Sequence, residues 1–296
     1  MRPKFPQEVS NVSQHKVSCV AVMGLAVVLL AVATPAAAQR EYEPLFDKFN
    51  LRLEGSWMGI STEMRLDSEL SDRGTTLNFE DDLDLEGSQT IPSVAFEWQI
   101  AKRHKLGVRW QDVSRDATAA TLEEIHWGDE VIPVNADVSL GFDTSQYYID
   151  YAYFPWVKEQ WAAGFGLGVR WIDISATLAW QTQGGSGGEG STDTQGSGPL
   201  PYLYFEYRRL LGDDWRLFAG LGWLGVEVGD IDGSQYIGKL GIEYLLGRHW
   251  GFGVAGNYSA IDVDWKGLET DQVGHLYNGT FNLDVNDVSI FARYRF

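Results

Sequence analysis

Trp161, Ala163, Phe165, Leu167, Val169 and Trp171 share one parity of an eleven-residue stretch, while Ala162, Gly164, Gly166, Gly168 and Arg170 share the other. Successive side chains of a strand point to opposite faces, so the alternation predicts a strand whose apolar face begins and ends in tryptophan. The same arrangement runs from Trp215 through Leu217, Ala219 and Leu221 to Trp223, and from Trp250 through Phe252 and Val254 to Tyr258. About 9–11 tilted residues cross a bilayer as a strand, with aromatic side chains at both interfaces. These stretches have the dimensions of the lipid core.

The same period marks ten strands, at 50–66, 90–100, 105–117, 140–154, 161–180, 199–210, 214–229, 235–246, 249–264 and 280–296. Short connections, such as 101–104 and 247–248, alternate with long ones, such as 67–89, 118–139 and 181–198, the last rich in Gly and Ser. The expected fold is all-β: a transmembrane antiparallel up-and-down barrel of about ten strands, with eight or twelve compatible with the same spacing. Short periplasmic turns and long extracellular loops would leave both chain ends in the periplasm.

The final strand carries a further signal. In VSIFARYRF, Val288, Ile290, Ala292, Tyr294 and Phe296 fall on one parity, and Ser289, Arg293 and Arg295 on the other. This ending resembles that of the outer-membrane β-barrel proteins of Gram-negative bacteria, and the chain is similar to uncharacterised small members with about ten strands. The resemblance implies an outer-membrane location, contact with membrane lipid and lipopolysaccharide, and Tyr294 and Phe296 as an assembly signal read by the barrel-assembly machinery.

With the apolar parity facing lipid, the other parity lines the lumen. It contributes Arg52, Arg109, Arg170, Arg208, Lys239, Arg293 and Arg295, with Glu54, Glu97, Asp150, Glu206 and Glu243. Charges in a narrow lumen are costly unless paired, so these predict a mixed-charge network filling the barrel. A barrel of about 8 strands is just filled by side chains, whereas an open channel takes 16–18. The expected function is a structural or interaction role, or a narrow pore.

Charge and composition sharpen the picture. The chain has 41 acidic against 23 basic residues, a formal net charge of −18, which repels nucleic acid. Since the lumen set is near balance, the excess of acid belongs in the loops. Residues 1–38 read as a signal peptide: basic Arg2, Lys4 and Lys16, an apolar run over 17–33, then Ala36-Ala37-Ala38. A short periplasmic segment over 39–49 would precede the barrel, 50–296.

Three motifs point elsewhere. Gly251 to Gly256 and Gly220 to Gly225 match G-x-G-x-x-G, but both sit inside strand alternation instead of between a strand and a helix, so no dinucleotide or other cofactor is expected. Glu80, Asp81, Asp82, Asp84 and Glu86 form an acidic knot, in which Asp81, Asp82 and Asp84 are weak candidates for a divalent cation; EF-hand spacing is lacking. The alternative function is an outer-membrane enzyme, protease or lipid A modifying, with a site at the extracellular rim. His126, His275, Asp262, Asp264 and Asp284 lie near that rim, without an alignable motif.

Overall fold

The structure is a computed structural model that describes residues 45–68, 73–182, 189–269 and 276–296. The signal-peptide reading, residues 39–44 and His275 lie outside the described residues. Ten long strands make a closed ring: β1 (Phe49–Ser68), β3 (Ser88–Ala101), β4 (His104–Ala120), β7 (Ala136–Val157), β8 (Trp161–Thr182), β9 (Glu189–Leu211), β10 (Trp215–Val228), β11 (Ile231–Leu246), β12 (Trp250–Glu269) and β13 (Leu276–Arg295). Each pairs antiparallel with the next, and β13 closes onto β1, with Asn50 opposite Arg295 and Trp57 opposite Val288. The two-residue β2 (Leu77–Asn78), the helical turn α1 (Phe79–Asp82) and the hairpin of β5 (Ile125–Trp127) and β6 (Glu130–Ile132) belong to the long connections.

The long strands run from 14 to 23 residues, more than a bilayer core requires. Their polarity explains the surplus. On β13 the outward side chains Val288, Ile290 and Tyr294 are apolar or aromatic, and outward Asn282, Asp284 and Asn286 are polar. The inward side chains do the reverse, from Arg295 and Arg293 at the turn end to Val285, Leu283 and Phe281 toward the loops. On β8, outward Val169 and Trp171 give way to Asp173, Ser175 and Thr177, as inward Arg170 gives way to Ile172, Ala176 and Leu178. Period two persists along strands such as β1, β7, β8, β12 and β13 while their polarity inverts just beyond an outer ring that includes Trp57, Trp171, Trp223 and Tyr258, all exposed. Below that ring the exterior meets lipid; above it the exterior is polar and the interior packs as in a water-soluble barrel.

The expectation of a polar lumen throughout therefore fails at the loop end. There Met58, Ile60, Met64, Leu140, Phe142, Leu178 and Phe281 form one apolar core with Phe79 of α1 and Trp127 of β5, which are 0 % and 1 % exposed. Phe79 meets Phe142 edge-on at 5.5 Å, and Trp127 Nε1 donates to Thr194 Oγ1 at 3.1 Å. Gly128 turns the β5–β6 hairpin at φ +59, and a Cβ there would lie 2.7 Å from the Tyr277 ring. The connections 67–89 and 118–139 thus supply a packed cap. The Gly/Ser stretch read as a loop over 181–198 is corrected too: from Glu189 onward it is strand, zipped to β8 from Gln181 to Trp171 by backbone pairing that asks nothing of its side chains.

Candidate functional site: the lumen

Interior side chains stand in three layers from the turn end to the loop end. At the turn end the chain before β1 folds into the barrel mouth. Leu45 and Phe46 pack with Phe154, Ala162, Leu210 and Leu245, and Phe46 meets Phe154 at 4.9 Å. Asp47 then enters the ion network: it is 3.0 Å from Arg216, 3.6 Å from Arg295 and 3.7 Å from Arg293. Glu243, fully buried, lies 2.9 Å from Arg216 and 3.4 Å from Arg293. Gly251 on the adjoining strand leaves the space Glu243 fills, since any side chain there would collide with its carboxylate. A second knot joins Glu97 and Glu206 to Arg208 and Lys105; Arg208 Nε bonds Glu206 at 2.6 Å, and the Lys105–Glu206 pair is in direct contact.

The middle layer is more open. Arg52 pairs with Glu54 at 3.0 Å. Arg109 and Arg170 flank one Tyr148 ring, their guanidinium carbons 4.1 and 5.2 Å from its centroid. Arg170 also donates to Gln146 at 2.7 Å, and Lys239 sits over Phe218 at 5.2 Å. Asp150 accepts from the Tyr202 hydroxyl and Asp287 from Asn257 at 2.7 Å. These groups border a cavity of about 150 Å³. The third layer is the apolar core, with Arg115 and Glu80 paired at 2.6 Å beneath the cap and Arg115 bonding Thr62.

All twelve lumen residues named from parity face inward. Asp47, Lys105 and Arg216 were not among them. Lys105 and Arg216 carry the signal, since they share the inward parity of Arg109 and Gly220; Asp47 precedes the first strand, where no period marks it. Tyr294 and Phe296 face outward at the turn end with ring centroids 4.8 Å apart, and the Phe296 amide donates to Phe49 O at 2.9 Å.

Among the described rim candidates no histidine joins the acids. The His126 ring bonds Glu124 and its amide donates to Thr75 Oγ1, whereas Asp262, Asp264 and Asp284 face outward on the barrel wall, Asp262 and Asp284 bordering one outer recess and Asp284 accepting from Tyr258 at 3.1 Å. Asp81, Asp82 and Asp84 are exposed and serve the α1 turn: Asn78 caps it by accepting from the Glu80 and Asp81 amides, and Asp82 accepts from the Asn78 amide. Among the described residues, no group of three or more His, Cys, Asp or Glu has the geometry to hold a metal.

A ring of antiparallel strands with a lipophilic waist between aromatic rows is one architecture. The chain is a transmembrane β-barrel of the bacterial outer-membrane kind. No protein-family description and no curated protein matches it. Among solved structures it is similar to the outer-membrane protease OmpT of Escherichia coli, at 10 % identity and a TM-score of 0.55 over 88 % of this chain and 99 % of that one. Weaker likenesses are the translocator domain of the autotransporter NalP of Neisseria meningitidis, at 10 % identity, TM-score 0.36 and 95 % and 98 % coverage, and OprG of Pseudomonas aeruginosa, at 13 %, 0.35, 84 % and 97 %. At such identities the likeness is one of fold. Its closed ring, lipid-facing waist and aromatic rows are those of an outer-membrane barrel, and the outer membrane is where it resides.

Proposed function

We propose that this protein is a closed barrel with a structural or interaction role at the cell surface. The observation that carries the reading is the filling of the lumen at both ends: Leu45, Phe46 and Asp47 with their ion network at one, the Phe79–Trp127 core at the other. A pore needs a continuous wet path, and an apolar core excludes water from one. A rim enzyme of this kind needs a histidine among its acids, and of the described candidates Asp262 and Asp284 share an outer recess whose lining has no histidine, while the His126 ring bonds Glu124.

The loop-end wall is the working surface in this reading. Above the aromatic ring the outward side chains include Glu63, Asp116, Asp143, Asp173, Asp262 and Asp284. Such a wall, with the loops extracellular, favours lipopolysaccharide contacts bridged by divalent cations. Purified protein in planar bilayers is expected to give no discrete current steps at about 100 mV of either sign, a potential worth about 2.3 kcal/mol per elementary charge. Reproducible unitary openings of the unmodified protein would sink the closed-barrel reading.

A further inference from the structure

We propose that the middle of the lumen is a binding site for one small oxyanion, a phosphate or carboxylate, held by Arg109, Arg170 and Lys239. The ion pairs of the barrel account for its other spanning cations: Arg52 has Glu54, Lys105 and Arg208 share Glu97 and Glu206, and Arg216, Arg293 and Arg295 share Asp47 and Glu243. Arg109, Arg170 and Lys239 are different. None lies within ion-pair distance of a carboxylate among the described residues. Arg109 stands over the Tyr148 ring and Lys239 over Phe218, and Arg170, 1 % exposed, has its Nε without a partner.

The nearby acids answer this deficit only in part: Glu54 acts on Arg109 and Lys239 from a distance but is paired with Arg52. Asp150 is engaged by Tyr202 and Asp287 by Asn257, both neutral. Counting Arg52 with Glu54, the layer holds four cations against three carboxylates, an excess of one positive charge in a low-dielectric interior where an uncompensated charge is costly. One bound anion restores balance. Guanidinium forks match the paired oxygens of a carboxylate or phosphate, and a lysine adds a mobile point charge. The cavity of about 150 Å³ is the size of a few water molecules, room for a small ion and not for a lipid.

The same layer has a way in. β10 pairs with β9 only from Trp215 to Trp223, after which β9 stays with β8 and β10 with β11. The strands part beside Tyr202 and Gly222, which line the cavity, and Pro199 and Pro201 stand on the freed stretch of β9, where neither can donate a bond across the gap. Gln235 of β11 reaches over, donating to Leu200 O and Pro201 O at 2.8 and 3.0 Å.

The test is thermal unfolding of protein refolded in a zwitterionic buffer with inorganic phosphate, with formate, or with chloride alone at equal ionic strength. Parent protein is expected to gain roughly 5 °C with phosphate or formate at about a hundredfold excess over the dissociation constant. Lys239→Met should match or exceed the parent in chloride, because it relieves cation repulsion, and should lose the oxyanion gain. Arg109→Gln, which keeps packing on Tyr148, serves if Lys239→Met does not fold. Lys158→Met, at an exposed turn, should keep the full gain. The site is overturned by a parent indifferent to both oxyanions, or by variants that keep the parent's gain.

Discussion

Glu243 shows how the lumen resists change one side chain at a time. Its carboxylate has no contact with water and stands between Arg216 and Arg293, each buried. Glu243→Ala would leave two guanidiniums facing each other across a space water cannot easily fill. Removing one partner of a buried ion group costs about 3–5 kcal/mol, far more than the pair's net contribution. The urea midpoint of Glu243→Ala should therefore fall well below that of Asp193→Ala, an exposed change on β9 expected within about 0.5 kcal/mol of the parent. Equal midpoints would mean that the network tolerates a missing charge and so does not lock the turn end.

A single strand carries the argument at the next scale. β8 meets lipid at Val169, water at Thr177 and the apolar core at Leu178. Arginine at position 169 should cost about 2–4 kcal/mol, as a charge near the bilayer midplane. Arginine at position 177 should change stability by no more than about 0.5 kcal/mol. Leu178→Ala should cost about 2–5 kcal/mol through lost burial and the cavity left behind. Refolding and urea titration in one detergent would rank the three; a penalty at 177 equal to that at 169 would place the outer ring too low.

This strand also shows what the sequence made legible. Trp161 to Trp171 announces a membrane crossing because apolar and small residues alternate without interruption. Beyond Trp171 the alternation continues with its phase reversed, Asp173 and Ser175 outward and Ala176 and Leu178 inward, so the period marks a strand over 161–180 while leaving the swap of apolar face unread. The cap was illegible for another reason: Phe79 and Trp127 are isolated aromatics in long connections, and only the closed ring brings them together. Parity placed the ion network's members on the inner face, yet partnership depends on register, which no period encodes. Arg208 pairs with Glu206 two residues away, whereas Lys105 reaches Glu206 from three strands along the ring.

For the whole molecule, closure depends on the first and last strands. Phe296 contributes one backbone bond to Phe49 and a half-exposed ring beside Tyr294. Its deletion should lower refolded stability by about 1–2 kcal/mol, the scale of one partly buried side chain and one hydrogen bond. If Tyr294 and Phe296 also form the assembly signal, the loss in cells will be larger. Heat-modifiability gels on isolated membranes, set against refolding in detergent, separate the two; normal membrane levels would leave Phe296 a packing role alone.

The inversion of polarity along the strands gives the two halves of the barrel different temperature responses. Within the bilayer, burying an apolar side chain in the lumen gains nothing over leaving it in lipid, so that half rests on ion pairs, backbone bonds and packing. The loop-end half excludes water from its core, a driving force that weakens on cooling and carries a large heat-capacity change. Chilled, the cap around Trp127 loosens first while the lipid-embedded belt holds its shape, and the barrel becomes a rigid ring with a softened lid.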